Sequence, residues 1–121
     1  MTCLNGITTI ILFLSLILSG CAGKDLPLVR EEAYQAYENN DYNSAVTKFE
    51  LLVQTAPEDV EFWFRLGNSY ARSQKPQLAI SAFQNVLLRD PKHEKAWYNM
   101  GLIQTQVALK TFVEMQNYTN E

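Results

Sequence analysis

Apolar side chains in this chain fall into two regimes. Residues 7–18 read ITTIILFLSLIL, a run broken only by Thr8, Thr9 and Ser15. From residue 28 onward the apolar positions recur at helical spacing instead. Ala45, Phe49 and Leu52 follow i, i+4, i+7, and so do Ala79, Phe83 and Val86, which places each set on one face of a helix. The pattern predicts five helices, over 28–39, 43–55, 58–72, 76–89 and 92–107. No Gly, Pro or Asn interrupts residues 102–116, so the last helix is expected to run on to about 116.

The second regime repeats itself. A 34-residue shift brings Ala45 onto Ala79, Phe49 onto Phe83, Pro57 onto Pro91, Trp63 onto Trp97 and Gly67 onto Gly101. A fixed period of this size signals a stacked helical array. Small residues at Gly67, Gly101 and Ala79 are expected where two helices approach closely. Trp63, Leu66, Tyr70 and Phe83 fill the space around that contact. Pro57 and Pro91 are placed in the first turns of helices, with Asp90 as an N-cap, and Pro76 opens the fourth helix. Asn40 is the turn residue able to take a left-handed conformation.

Trp63, Leu66-Gly67, Tyr70, Ala79, Phe83 and Pro91 together resemble the tetratricopeptide repeat. The resemblance implies an all-α superhelix of two repeats, about 26–59 and 60–93, with a partial third repeat or capping helix over 94–121. The ends depart from the pattern. The first repeat has Val29 for Trp and Ala33 for Gly. The third has Val113 where Ala belongs and Asn117 where Phe belongs. Leu102, Leu109, Phe112 and Val113 form an apolar stripe on the last helix. That stripe either caps the array or stays exposed to bind a second copy or a partner.

The apolar run at the start ends in Leu18-Ser19-Gly20-Cys21. It is shorter than the roughly 20 residues of a bilayer span, which suits a cleaved signal. The four residues resemble a bacterial lipoprotein signal. The resemblance implies a signal over 1–20, a lipidated Cys21 carrying palmitate-type acyl chains, and a tether over 21–27. Two or three such chains make a lasting anchor. Ala22, in place of Asp, points toward the periplasmic face of the outer membrane. The leading MTCLNG has no Lys or Arg, so the terminal amine alone supplies the positive charge of the signal. The alternative is an uncleaved apolar anchor or a buried hydrophobic segment. Cys3 would leave with the signal, so the mature domain is expected to have no free thiol.

Composition narrows the function. With 10 Lys+Arg against 13 Asp+Glu, an acidic exported chain is a poor nucleic-acid binder. His93, the single histidine, reads as a surface residue in a first helical turn, with no second ligand for a metal. No serine has a positioned base and no Gly-rich phosphate loop is present, so no enzyme and no cofactor beyond the covalent lipid is expected. The remaining candidate is the concave face that the resemblance implies for the first helices of each repeat. It would carry Arg30, Tyr34 and Tyr37, then Phe64, Asn68 and Arg72, then Tyr98, Asn99 and Leu102. Tyr, Phe and Arg are types that dominate interface energies. The carboxylate clamp known in some tetratricopeptide domains is broken here, because Tyr34, Arg65 and Asn99 stand at three of its positions. The reading is a lipid-anchored adaptor that binds an envelope protein or peptide; the resemblance to tetratricopeptide lipoproteins implies a place in the assembly of a pilus, secretion or outer-membrane complex. The alternatives are a self-associating module joined through the 102–116 helix, and a regulator of a cell-wall enzyme.

Overall fold

The computed structural model describes residues 25–119; the apolar run and Cys21 lie outside them. Five helices follow one another: α1 Leu26–Glu38, α2 Tyr42–Thr55, α3 Val60–Arg72, α4 Pro76–Arg89 and α5 Glu94–Thr119. Each packs mainly on the next in sequence, giving two helical hairpins and a fifth helix laid on the second. None of the described helices is long and apolar enough to cross a membrane. The all-α repeat architecture expected from the sequence period is the observed one.

The turns explain why the chain reverses where it does. Asn40 has φ 60° and Gln74, one period later, φ 61°. In both places the residue after the left-handed one donates its N–H back into the preceding helix, Asp41 to the Ala36 carbonyl and Lys75 to that of Tyr70, each at 2.9 Å. Asn tolerates this conformation better than most residues, which made Asn40 legible. Gln74 carries no such mark and is set by the register of its neighbours. The Asp41 carboxylate accepts from the Ser44 N–H at 3.2 Å and caps α2. Hydrogen bonding by Ser44, first through its side chain and then through this N–H, holds the Asp41 pKa below the usual carboxylate value.

Helix starts correct the sequence reading. Pro76 does occupy the first turn of α4. Pro57 and Pro91 do not begin helices; they lie in the turns ahead of α3 and α5. The cap of α3 is Asp59, whose carboxylate accepts from the N–H groups of Glu61 and Phe62. Asp90 is not the cap of α5: its side chain accepts from the Lys92 N–H within the turn. His93 takes that role, with Nδ1 accepting from the Ala96 N–H at 3.1 Å. The prolines instead present carbonyls to the tryptophans six residues on. Trp63 Nε1 donates to the Pro57 oxygen at 2.7 Å, and Trp97 Nε1 to that of Pro91 at 2.9 Å. The Trp–Pro pairing therefore staples α3 and α5 to the turns before them.

The core runs through the hairpins. Ala45, Phe49 and Leu52 of α2 and Ala79, Phe83 and Val86 of α4 are fully buried. Burying one such large apolar side chain is worth about 1.5–3 kcal/mol. Gly67 permits the approach of α3 to α4: a Cβ there would stand 2.7 Å from Phe83 Cε1. Gly101 is different. A Cβ built on it meets nothing within 4 Å, so close packing does not explain this glycine. The first repeat tolerates its substitutions because Val29 and Ala33 are buried in place of Trp and Gly. Glu32 there pairs across the hairpin with Lys48.

Helix α5 reaches beyond the expected end at 116 and runs to Thr119. Only its first half is packed. Ala96, Met100 and Ile103 are buried and Val107 is half-buried. Past residue 107 every described side chain is exposed, including Leu109, Phe112, Val113 and Met115. The stripe does not cap the described array; it faces outward.

Candidate functional site

Helix α1 presents Arg30, Tyr34 and Tyr37 at i, i+4, i+7, and α3 presents Glu61, Arg65, Asn68 and Arg72 at matching spacing. Such spacing aligns side chains on one helix face. The two faces meet at Arg65. Its guanidinium carbon lies 5.5 Å from the Tyr34 ring centre and 5.2 Å from that of Tyr37. Arg30 lies 6.0 Å from the Tyr34 ring and 5.8 Å from Phe62. Tyr37 meets Tyr42 edge-on at 5.7 Å, and Arg72 stands 5.9 Å from the Tyr42 ring. The result is one ladder of cations and rings along the α1–α3 seam, from Arg30 to Arg72.

Each rung has a definite support. Tyr34 rests edge-on against buried Phe49 at 5.4 Å, which fixes the ring that Arg30 and Arg65 share. Its phenol is pushed above its ordinary pKa, first by burial and then by the charge of Glu61. Burial disfavours the Arg65 charge, but the hydrogen bond and charge of Glu61 outweigh it and raise the guanidinium pKa. The Nε–Oε1 distance of that pair is 2.6 Å. Arg30 and Arg72 differ: among the described residues neither has a carboxylate within ion-pair distance. Guanidinium groups stacked on rings keep their outward N–H donors free for a carboxylate or carbonyl. The ladder thus offers two unpaired cations at its ends and half-buried aromatic surface between them.

The structure unites most of the expected residues, in two clusters rather than one row. Arg30, Tyr34 and Tyr37 join through Arg65, which sequence reasoning weighed only as a mismatch to a known clamp. Its spacing from Glu61 and Arg72 was the available signal. Tyr42 was missed because it opens the second helix of its repeat and not the first. Asn68 and Asn99 form the link to α5, with Asn99 Nδ2 donating to Asn68 Oδ1 at 2.9 Å. Phe64 packs 5.8 Å from Phe83 and 4.8 Å from the His93 ring, so much of its surface is internal. His93 is accordingly half-buried and structural, not a free surface residue. Arg72 turns toward Tyr42 rather than toward α5. Tyr98 and Leu102 are exposed; Tyr98 lines a shallow recess with Phe64, Glu94, Lys95 and Asn99.

Comparison with known proteins agrees with this architecture. Two peroxisomal targeting signal receptors match over 66 residues, that of Candida albicans at 30% identity and that of Saccharomyces cerevisiae at 32%. Each alignment covers 54% of this chain and 11% of the receptor. A chloroplastic tetratricopeptide repeat domain-containing protein of Arabidopsis thaliana is 30% identical over 87 residues, 71% of this chain and 29% of that protein. The chain therefore spans between about a tenth and a third of the length of these relatives. Among solved structures, a chain of the CopN–Scc3 complex superposes with a TM-score of 0.66 at 28% identity, covering 78% of this chain and 56% of that one. A complex of the TPR2B domain of yeast Sti1 with pHsp70 superposes at 0.62 with 20% identity, covering 74% and 70%. That likeness shows the fold alone. The tetratricopeptide repeat model matches residues 30–83 and 64–106. With the sequence period, the paired helices and the Gly67–Phe83 contact behind that match, this chain belongs to the tetratricopeptide repeat family, whose domains are protein-binding scaffolds.

Proposed function

We propose that this chain is a lipid-anchored adaptor that holds a peptide segment of another bacterial envelope protein against the periplasmic face of the outer membrane. The observation that carries the binding half of this reading is the Arg30–Tyr34–Arg65–Tyr37–Tyr42–Arg72 ladder. Its free guanidinium groups suit acidic side chains or a terminal carboxylate, and its rings suit the apolar side chains between them. Preformed rings lose little rotamer entropy on binding, because Tyr34 and Tyr37 are already packed. The anchoring half rests on Leu18-Ser19-Gly20-Cys21 after an apolar run. The structure starts α1 at Leu26, which shortens the expected tether to residues 22–25; these span at most about 14 Å, so the groove would stay near the bilayer. Confinement raises the effective concentration of groove and partner, and a modest affinity then suffices. By analogy with tetratricopeptide lipoproteins, the complex served would be a pilus, a secretion system or an outer-membrane assembly.

Two measurements test it. Labelled palmitate is expected on the wild-type chain and absent from Cys21→Ser; labelling of both, or of neither, rejects the anchor. For the groove, the full chain is expected to capture a specific envelope protein from solubilised membranes. Arg30→Glu combined with Tyr37→Ala is expected to lose that protein while keeping the helical circular-dichroism signal. Equal recovery by both forms would reject the ladder as the binding surface.

A further inference from the structure

Helix α5 carries two half-repeats in one unbroken rod. Its first half has the first-helix signature of the family, Trp97 with Met100-Gly101. Its second half has Ala108, Phe112 and Met115, the same i, i+4, i+7 set as Ala45-Phe49-Leu52 and Ala79-Phe83-Val86. That second signature is out of the repeat frame and is hidden from a fixed-period comparison. Phe112 follows Gly101 more closely in sequence than Phe83 follows Gly67. The interval is shorter by about five residues, the length of a reversal between two helices.

The consequence is geometric. In the middle repeat the chain reverses through Gln74 and returns Phe83 onto Gly67. In α5 the backbone stays helical from Glu94 to Thr119. At 1.5 Å per residue, Phe112 is about 16 Å along the axis from the Gly101 it matches, and cannot reach it. Both halves are therefore left uncovered. Trp97 is 54% exposed, Phe112 54% and Met115 49%. At about 100° per residue, Trp97, Gly101, Ala108, Phe112 and Met115 share an arc of roughly 60°, turned about 120° from the stripe packed on α4. A helix can lie there without displacing the fold.

We propose that two copies of this chain complete each other's third repeat, α5 pairing antiparallel with α5 of the second copy so that Phe112 of each sits on Gly101 of the other. The occupant is a second copy because the chain itself supplies the complementary half: the site at Gly101 has the form that Phe83 fills at Gly67, and the Phe at the right spacing lies on the same helix. Twofold symmetry makes one such contact into two, and a reversal too short to close within a chain favours exchange between chains. Each copy buries Trp97, Phe112 and Met115, large apolar side chains of the kind that dominate interface energies. This inference is independent of the groove and of the lipid anchor.

The test is sedimentation of the full chain in mild detergent, with two single variants and their mixture. Gly101→Glu and Phe112→Lys alter positions open enough to leave the monomer folded, checked by circular dichroism. Wild type is expected at dimer mass. Each variant alone is expected to weaken pairing by roughly tenfold or more and to sediment as monomer. Mixed in equal amounts they are expected to return to dimer. In the mixed pair one contact sets the introduced carboxylate against the introduced ammonium, while the other stays Gly101 against Phe112. Pairing is also expected to shift tryptophan emission to the blue as Trp97 leaves water. A wild-type monomer at about 100 µM would overturn the proposal, leaving the face to another protein's helix. So would a dimer that neither variant weakens, or a mixture that stays monomeric.

Discussion

Gly67 and Gly101 stand one repeat apart in matching sequence, each four positions after a tryptophan that bonds the same kind of proline carbonyl. Their surroundings are opposite. Gly67 lies under the Phe83 ring, so close that a methyl group does not fit, while Gly101 faces open space. Arg89 covers Trp63, its guanidinium 5.3 Å from the ring, whereas Trp97 stays more than half exposed. The difference teaches that a repeat signature has two separable parts. The tryptophan staple is local and forms in both repeats. The glycine contact is non-local and needs the chain to reverse, which happens only once between the two.

Substitutions at paired positions separate the closed repeat from the open one. The largest contrast is expected at the phenylalanines. Phe83→Ala leaves a cavity in a fully buried site and is expected to cost about 3–5 kcal/mol in denaturant unfolding. Phe112→Ala is expected to change monomer stability by less than about 0.5 kcal/mol. Equal losses would mean that Phe112 is covered within one chain.

At the glycines the two effects should have opposite signs. Gly67→Ala forces a methyl against a buried ring with no room to swing, at a cost of about 1–3 kcal/mol. Gly101→Ala, read in a Phe112→Lys background that keeps the chain monomeric, replaces a flexible residue with nothing in the way within its own chain and is expected to stabilise by about 0.5–1 kcal/mol. Melting temperatures of the two variants in that background, moving in opposite directions from their parent, check this.

The tryptophan staples should be more nearly alike. Trp63→Phe and Trp97→Phe each lose one hydrogen bond to a proline carbonyl, about 1 kcal/mol, and Trp63→Phe loses its cover by Arg89 as well. In the monomeric Phe112→Lys background, chemical denaturation that ranks Trp97→Phe as the more damaging would contradict the exposure of α5.

The smallest effect is alkaline. Tyr70 is buried and donates its hydroxyl to Glu50, so its pKa is raised above the ordinary 10.0, first by burial and then by that carboxylate. Its neutral form is favoured in the folded state. The associated stability is whole below about pH 10 and is lost progressively as the pH climbs above it. Gln104 stands at the equivalent place in α5 and does not titrate. Tyr70→Phe is therefore expected to flatten the fall in melting temperature above about pH 10, and an unchanged slope would assign the effect elsewhere.

Much of the fold is legible from the residues alone. The i, i+4, i+7 apolar sets, the repeat period and the left-handed Asn40 locate five helices to within two or three residues, because these signals act within one or two turns of chain. Helix starts are less legible, since Pro57 and Pro91 suit a first turn as well as the loop ahead of it. Only the packing of Trp63 and Trp97 on their carbonyls decides between the two. The candidate groove is half legible. Arg30, Tyr34 and Tyr37 fall on one face by spacing. Arg65 becomes their centre only because α1 and α3 come side by side, with a whole helix of sequence between them.

By itself the sequence determined the repeat, its helices and the residues of its core, since periodicity is read along a single strand of chain. What covers each face was decided only in three dimensions. Whether a glycine is a contact or a vacancy depends on where a distant phenylalanine returns, and whether an arginine is paired depends on which helix lies beside it. Close packing and charge pairing act between neighbours in space, and a helix that fails to turn back changes those neighbours without changing the local pattern that formed it.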